Sequence, residues 1–454
     1  MLKKSISLLS FLYSLKAFAW SDHTITTYYT LKNVSSQSLQ NAIPAETLEN
    51  FLIDMKKNHP GALKASLEVT ENWAMKRWTH FHTIPQNIFY DETKGSDSER
   101  IIHFLNGIRV NPHVFVFPYL RDLPASYVLA HAESAKLWNT SNEIAYTKVT
   151  LPSILSGVVP GLRYFSLNSS QLVPALAVLA TAADEPDLGL DISLFENNNS
   201  EFGKYYQFGN QPFGDERVSF ASAAPFHYGA YHEWSLFYAL APQTKECYAM
   251  YRIKMYRELA RVAFSSGHIY WGWRFLGMGL HYIQDLTQPY HAKFFPGYNT
   301  LMEISYYGFS MLNVKKPLEN SINLVANRHF LFEDFVYRML QNSQLKESAQ
   351  LQSALASPSN NELNNLEYND DFPQQVISFR SNSLADNLSS TIEENFPSHY
   401  VNDPSYLYSD KEVNILEVFK NLDITKQHNI LNMMKPILEN TGIYTRAYLQ
   451  EFLK

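Results

Sequence analysis

The sequence predicts an all-α fold. Residues 246–264 have the spacing of a long amphipathic helix, and residues 269–285 form a second, more apolar helical stretch. Alternation of apolar and polar residues, the pattern of half-buried strands, is scarce along the chain. The sequence also contains no internal repeat, P-loop or nucleotide-binding fingerprint. We therefore expect a mainly helical protein.

Composition limits the class of protein and its partners. With 454 residues, of which 45% are hydrophobic, the chain can bury a large core. Cys247 is the only cysteine, so an intrachain disulfide is impossible. The formal net charge is −7, and loss of residues 1–19, with three lysines and no acidic residue, would make it −10 (−7 − 3). Binding to a phosphate backbone does not select such an acidic chain, so no nucleic-acid partner is expected.

The first residues have the features of an export signal. Lys3 and Lys4 precede an apolar run over residues 6–15, and Ala17-Phe-Ala19 has the small-x-small form of a cleavage site. We predict that residues 1–19 are a signal peptide and that the protein is exported, to the periplasm or the extracellular space. An N-terminal interfacial helix is the alternative. No later run of about 18 apolar residues exists, so no transmembrane segment is predicted.

Cleavage after Ala19 would make Trp20 the new N-terminal residue. A free amino group and the carbonyl of the same residue can form a five-membered chelate around a metal ion. His23 follows at about one helical turn, and Asp22 or Ser21 can serve as the start of that helix. Trp20 and His23 are therefore candidate ligands, although Trp20 can also be simply the residue that follows the signal.

Two further helices precede the central motif. Residues 45–57 have amphipathic helical spacing, and residues 172–181 are typical of a buried helix that ends near Asp184 and Asp187. A carboxylate at the end of a buried helix is well placed for a metal, although aspartate is also common in turns.

An aromatic segment further on holds His227 and His232. The residue pattern alone leaves open whether either of these histidines binds a metal.

The central motif is His281-x3-Asp285-x5-His291. On the helix that follows the apolar run 273–280, His281 and Asp285 are four residues apart and therefore share one face. Pro289 ends this helix, because proline lacks the N–H and clashes with the preceding turn, and the bend can return His291 towards the other two. Two imidazoles and a carboxylate are typical zinc ligands. The alternative is a histidine that caps a helix end beside a surface aspartate.

A second ligand pair lies further along the chain. His329 and Glu333 are four residues apart within residues 327–336, which are predicted to begin a helix, and thus share a face. Between His291 and this pair, residues 298–312 form an aromatic insertion.

The C-terminal part is predicted to begin with a flexible connection over residues 341–371, which are rich in Ser, Asn and Gln. Helices follow near residues 376–395 and 430–452. We therefore divide the chain into the signal peptide, a helical domain over residues 20–395 with insertions, and a C-terminal helical extension over residues 396–454.

Taken together, these residues resemble the zinc-dependent phospholipase C family, secreted bacterial enzymes that hydrolyse phosphatidylcholine and have a mature N-terminal tryptophan. The sequence is also similar to the secreted single-strand-specific zinc nucleases, which share that all-helical fold and three-zinc site. The likeness is densest over Phe275–Phe294, where Leu-His-Tyr, Gln-Pro and His-Ala occur in the family's order. It is good again over His329–Val336.

The resemblance implies a bundle with a trinuclear zinc site. It implies that one zinc is held by Asp184, His227, His281 and Asp285, a second by His291, His329 and Glu333, and a third by the amino nitrogen and carbonyl of Trp20, by His23 and by Asp285 as a bridge. It gives Asp184 the further role of accepting a proton from the attacking water. Asp187 competes with Asp184 for these roles, and His232 competes with His227.

The function implied by the resemblance is hydrolysis of phosphatidylcholine-like phospholipids, at a membrane surface, to diacylglycerol and a phosphorylated headgroup. Glu333 as the last ligand and the Gln288-Pro-x-His-Ala motif favour a phospholipase. A single-strand-specific nuclease is the alternative function. Glu185 departs from the family, because the phospholipases have an aromatic residue after the metal aspartate. We expect a monomer, and a non-enzymatic exported binding protein is a further possibility.

Overall fold

The structure is a computed structural model, and it describes residues 23–78, 90–91, 95–111, 115–116, 143–144, 164–206, 208–214, 219–342, 345–357 and 366–453. This part of the chain is predominantly helical, and its strands are two or three residues long, which confirms the predicted all-α class. The predicted signal peptide, residues 1–19, and Trp20 lie outside the described residues. Of the helices in the described ranges, none combines the length and apolar character that crossing a bilayer requires.

The helices of the first half of the chain are α1 (His23–Leu31), α2 (Gln37–Gln40), α3 (Leu48–Asn58), α4 (Ala62–Met75), α5 (Asp97–Ile108), α6 (Ala175–Ala183), α7 (Glu201–Tyr206) and α8 (Ala224–His227). Helix α3 confirms the helix predicted near residues 45–57. It begins after Thr47, whose side chain accepts a hydrogen bond from the Asn50 N–H at 3.2 Å, and it buries Phe51 and Met55.

The helices of the second half are α9 (Ser235–Leu240), α10 (Ala249–Ser265), α11 (Ile269–Thr287), α12 (Pro289–Ala292), α13 (Thr300–Met311), α14 (Lys316–Gln341), α15 (Lys346–Ala356), α16 (Phe379–Asn395), α17 (Ser398–Val401), α18 (Ile415–Lys420) and α19 (Ile424–Leu449). Helices α10 and α11 confirm the two long helices predicted from spacing. Helix α14 begins well before residue 327, so its start was predicted too late.

The short strands form two small antiparallel sheets. Strand β1 (Ala42–Pro44) pairs with β5 (Leu172–Pro174), with Ile43 opposite Val173. The second sheet has the order β2 (Phe115–Val116), β4 (Tyr164–Ser166), β3 (Glu143–Ile144). Because residues 172–174 pair with β1, the helix predicted over residues 172–181 begins only at Ala175, as α6.

Helix α11 lies at the centre of the core. Every residue from Tyr270 to Thr287 is buried, and the helix packs against α6, α10 and α19. The crossing with α6 is close at Gly277, where an added Cβ would collide with the Leu179 carbonyl oxygen and the Ala182 side chain. The small residue therefore brings the end of α6 against the face of α11 that carries His281 and Asp285.

The predicted flexible connection over residues 341–371 is wrong for residues 346–356, which form α15. The segment is rich in Ser and Gln, but Leu351, Ala354 and Leu355 recur on one face and are buried. This face packs against α19. A narrow apolar stripe is thus enough to make a polar segment helical when a neighbouring helix covers it.

The C-terminal helix α19 belongs to the same core as α11. Its buried residues include Met434, Ile437 and Leu438, within the main apolar cluster of the described residues. Two of its threonines also contact α11: Thr441 Oγ1 lies 2.8 Å from Thr287 Oγ1, and Thr445 Oγ1 accepts from Gln284 Nε2 at 3.3 Å. The segment that the sequence marks as an extension therefore packs directly behind the helix of the central motif.

Candidate metal centre

Three groups of histidines and carboxylates meet on the buried face of α11. In each group the possible ligand atoms lie within 4.8 Å of one another, and the groups are His23, His281 and Asp285; Asp187, His227 and His281; and His291, His329 and Glu333. These residues come from the start of α1, the turn after α6, the end of α8, α11, α12 and α14. The structure thus brings together residues that are about 300 positions apart in the chain, as the difference between His23 and Glu333 shows (333 − 23 = 310).

Asp285 connects the three groups. Its Oδ2 lies 2.8 Å from His227 Nδ1 and 3.2 Å from His281 Nε2. Its Oδ1 lies 3.4 Å from His291 Nδ1 and 3.7 Å from His23 Nε2. Four imidazoles therefore surround one carboxylate that is fully buried.

Three buried polar atoms in this cluster have no hydrogen-bond partner within the described residues: His23 Nε2, Asp285 Oδ1 and His291 Nδ1. Burying a polar atom without a partner is costly, so native proteins rarely leave such atoms unsatisfied. Asp285 Oδ1 is the carboxylate oxygen nearest to both nitrogens. Metal ions bound beside this carboxylate would give all three atoms a partner.

In three of the imidazoles, the ring nitrogen that points away from the cluster faces a hydrogen-bond acceptor. His23 Nδ1 donates to Gln284 Oε1 at 2.9 Å, and His281 Nδ1 donates to the Ala183 carbonyl oxygen at 2.7 Å. The tautomer assignment follows because a carbonyl or amide oxygen can only accept. In the neutral form of each ring, the lone pair is therefore on Nε2, and this nitrogen faces a carboxylate.

His227 is oriented in the same way but with its nitrogens exchanged. Its Nε2 faces Asp191 Oδ2 at 3.4 Å, and its Nδ1 faces Asp285. Asp191 is fully buried and accepts from Arg252 Nε at 2.8 Å and from the Tyr282 hydroxyl at 2.5 Å. Burial opposes ionisation of Asp191, yet the Arg252 guanidinium beside it holds the pKa of this carboxyl well below its ordinary value.

The sequence did not single out Asp191 or Arg252. Asp191 is 36 residues from His227 (227 − 191) and 61 from Arg252 (252 − 191). No local spacing links residues at such separations, so only the tertiary packing of the three segments reveals these contacts.

The second end of the cluster is built on α12 and α14. Glu333 Oε1 lies 2.8 Å from His329 Nε2 and 3.3 Å from His291 Nε2. Gln288 Nε2 donates to the same oxygen at 3.1 Å. The two imidazoles are held by aromatic rings, with Tyr228 stacked on His291 at 5.0 Å between centroids and Tyr290 stacked on His329 at 5.3 Å.

Of the two candidate aspartates after α6, Asp187 faces the cluster. Its Oδ1 lies 3.6 Å from His281 Nε2 and 3.9 Å from His227 Nδ1, and its Oδ2 lies 3.9 Å from His23 Nε2. A 3₁₀ turn over Glu185–Leu188, with Pro186 near its start, follows Asp184 and brings Asp187 to this position.

Asp184 makes different contacts. Its Oδ1 accepts from the Thr24 N–H at 3.2 Å, and its Oδ2 accepts from the Thr24 hydroxyl at 2.5 Å. Asp184 thereby provides an acceptor for a backbone N–H of the first turn of α1, which has no partner within the helix. It is outside the three groups formed by the described residues.

Two other residues that the sequence raised lie away from the cluster. His232 Nε2 donates to the Gln374 carbonyl oxygen at 2.8 Å, so His227 and not His232 is the histidine of the group. Glu185, which replaces an aromatic residue of the phospholipases, is buried in a two-point ion pair with Arg274 at 2.7 Å and 2.9 Å. Its role in the structure is therefore to pair with an arginine of α11.

Charge in the cluster is balanced by protons when no cation is present. Burial disfavours the charged imidazole, but Asp285 and Asp191 together raise the pKa of His227 to about 10. Burial likewise opposes the charge on His291, and Asp285 and Glu333 raise its pKa to about 9. A divalent cation at this place would take over the charge that these protons supply, and its binding would release them.

The donor set fits zinc. Neutral imidazole nitrogens and carboxylate oxygens are its usual ligands, and each of the three groups offers both. The predicted contribution of Trp20 concerns a residue outside the described ranges.

Comparison with known proteins leaves the family open. No family model, curated protein or solved structure matches the chain.

Proposed function

We propose that this protein is a zinc-dependent phosphodiesterase of the phospholipase C type, which hydrolyses phosphatidylcholine-like phospholipids to diacylglycerol and a phosphorylated headgroup. The observation that carries the proposal is the arrangement around Asp285, where four imidazoles converge on one buried carboxylate. In two of these imidazoles Nδ1 is bonded to an acceptor, so the neutral ring has its lone pair on Nε2, the nitrogen that faces the carboxylates. A histidine that binds a metal commonly donates its other ring N–H to such an acceptor, so the arrangement is typical of a metal centre.

The proposed ligands form three sets. One ion would be held by Asp187, His227, His281 and Asp285, a second by His291, His329 and Glu333, and a third by His23 and Asp285 together with the amino nitrogen and carbonyl of Trp20. In this assignment Asp187 takes the place that the family resemblance gives to Asp184.

When bound, the ions supply Lewis acidity, which lowers the pKa of a water molecule and neutralises the charge of the phosphodiester. Asp187 is the group that we assign to accept the proton of the attacking water. Its carboxylate faces the imidazoles of His281 and His227, at 3.6 Å and 3.9 Å, and so lies where a water molecule between the ions would bind. Asp184 is less suited, because both of its oxygens already accept hydrogen bonds from Thr24.

Lipid is favoured over nucleic acid by the sequence around the site. Glu333 and the Gln288-Pro289 segment resemble those of the phospholipases, and Gln288 donates to Glu333. The acidic net charge, −7, also opposes binding to a nucleic-acid backbone. Export and a monomeric state remain predictions that accompany this proposal.

The test combines metal analysis with two substrates. The purified protein is analysed for zinc and then incubated with phosphatidylcholine vesicles and, separately, with single-stranded DNA. We expect bound zinc and release of diacylglycerol with phosphocholine. Release of nucleotides without diacylglycerol would point to the nuclease, and a protein that binds no zinc would point to a non-enzymatic binding protein.

A further inference from the structure

Two helices near His291 carry large apolar side chains on the protein surface. Helix α13 and the residues after it expose Leu301 to 73% and Leu312 to 76%. Further exposed apolar side chains on α9, on α13 and next to them are Trp234, Leu236, Leu240, Met302, Phe309 and Val314. We call these eight side chains the apolar patch. Soluble proteins rarely expose so many large apolar side chains together without a partner for them.

The exposure follows from the position of α13, not from lack of anchoring. Positions 301, 305, 309 and 312 recur every three or four residues and therefore share one helix face, which is exposed at all four. Tyr306 lies on another face of α13 and packs on a small core with Phe237 of α9 and Leu318 of α14. Both helices are thus fixed to the protein by one face and present another to the outside.

An aromatic stack joins this small core to the candidate metal centre. Tyr228 stacks on His291 at 5.0 Å, Phe294 stacks on Tyr228 at 5.9 Å, and Phe237 stacks on Phe294 at 5.7 Å. Only two rings separate the imidazole of His291 from α9. The small core beneath the apolar patch is therefore in continuous ring contact with the candidate metal centre.

The exposed charges beside the patch are mainly positive. Residues 233–246 and 298–319 hold Lys245, Lys315 and Lys316 together with Glu233, Glu246, Glu303 and Glu319. Of these acidic residues, Glu246 is buried, and Glu233 accepts a hydrogen bond from the Phe294 N–H at 2.7 Å. The three lysines are exposed. Lysines beside a row of leucines match a bilayer surface, because the ammonium groups reach lipid phosphates while the apolar side chains enter the acyl boundary.

We propose that the apolar patch on α9 and α13 docks this protein onto a phospholipid bilayer. The choice of lipid as the partner rests on the proposed phospholipase function, since the substrate of that reaction lies in the bilayer. The helices lie in the interface and do not span it, because docking uses one face of each. The bilayer would then contact the part of the protein that Phe237, Phe294 and Tyr228 connect to His291.

The test is sedimentation of the zinc-loaded protein with vesicles. They are made of a phosphonate analogue of phosphatidylcholine in which carbon replaces the scissile oxygen, so binding is measured without hydrolysis. The test variant is Leu301→Glu/Leu312→Glu. The matched control is Val69→Glu/Ile424→Glu, which has the same charge change at apolar residues that are 54% and 63% exposed outside the patch. We expect the test variant to lose about tenfold or more in vesicle partitioning and the control to keep it.

Two results would overturn the proposal: equal vesicle binding by the test variant and the unchanged protein, or no binding by either. A third is light scattering that shows a dimer for the unchanged protein and a monomer for the test variant without lipid, because a second copy would then cover the patch. The same measurements distinguish failure of the docking proposal from failure of the proposed function. If the test variant loses vesicle binding but the unchanged protein does not hydrolyse phosphatidylcholine, the docking proposal stands and the proposed function is wrong. If the unchanged protein hydrolyses short-chain phosphatidylcholine but its vesicle binding does not depend on the patch, only the docking proposal is wrong.

Discussion

Asp191 Oδ2 lies 3.4 Å from His227 Nε2 and leaves Nδ1 as the nitrogen that faces Asp285. The imidazole has two nitrogens, and only the one without a proton can bind a metal. A buried carboxylate, itself held by Arg252 at 2.8 Å, thus decides which nitrogen of His227 is available. In metal sites such partners commonly tune affinity as well as orientation.

The first prediction is that Asp191→Asn weakens zinc binding by about 10- to 100-fold, because the amide no longer holds the proton on His227 Nε2. The variant also leaves the buried Arg252 guanidinium without its carboxylate, so the free energy of unfolding should fall by about 3–5 kcal/mol. Zinc affinity is measured by titration against a competing chelator and stability by urea denaturation.

The matched control for this variant is Glu185→Gln, which breaks the buried pair of Glu185 with Arg274. It should lower stability in a similar way and leave zinc affinity unchanged, since neither residue contacts an imidazole of the three groups. If both variants weaken zinc binding equally, the effect comes from general destabilisation and Asp191 has no orienting role.

The second prediction concerns His281, the residue shared by two of the three groups. His281→Ala should lower the zinc content of the purified protein and reduce phosphodiester hydrolysis by more than about 100-fold, since loss of a ligand exceeds the usual effect of an outer partner. Metal content is measured by mass spectrometry, and hydrolysis by release of phosphocholine. His232→Ala is the control, because His232 bonds to the Gln374 carbonyl and should be dispensable for both.

The third prediction separates the two aspartates after α6. Asp187→Asn should lower zinc content and activity, because its carboxylate faces three imidazoles. Asp184→Asn should keep zinc and instead reduce stability by about 1–2 kcal/mol, since it weakens the hydrogen bonds to Thr24 at the start of α1. The opposite result, zinc loss only in the Asp184 variant, would restore the assignment that the family resemblance implies.

Part of this site could be predicted from the sequence because helical spacing is local. His281 and Asp285, and likewise His329 and Glu333, are four apart on one helix, so their shared face follows without knowledge of the fold. The choice between Asp184 and Asp187 could not be made, since it depends on the 3₁₀ turn that follows α6.

Tertiary packing decided what local spacing could not. The all-α class could be predicted from the scarcity of alternating patterns. Helix α15 was missed because most of its residues are polar, and its narrow apolar stripe is buried only through packing against α19. The pairing of Asp191 with His227 and Arg252 joins three segments, and no pattern in one segment points to the others.

The fourth prediction is a pH dependence of stability at the start of α11. His268 precedes this helix, and its Nδ1 lies 2.8 Å from Glu46 Oε1 while its Nε2 lies 3.1 Å from Asp54 Oδ2. Burial lowers the pKa of His268, but the two carboxylates outweigh it, and the net effect raises the pKa above the ordinary value of 6.5. The protonated ring therefore stabilises the folded state at a pH below about 6.5, and this contribution disappears as the pH rises through the raised pKa.

His268→Gln should accordingly be less stable than the unchanged protein at pH 5.5 by about 1 kcal/mol, since both carboxylates are partly exposed to solvent. The difference should shrink towards zero by about pH 9, where the histidine is neutral in both states. Urea denaturation of both proteins, measured without zinc so that metal binding does not contribute, gives the two curves. A difference that stays constant or grows with pH would show that His268 acts through packing against Phe51, at 4.9 Å between ring centroids, and not through its charge.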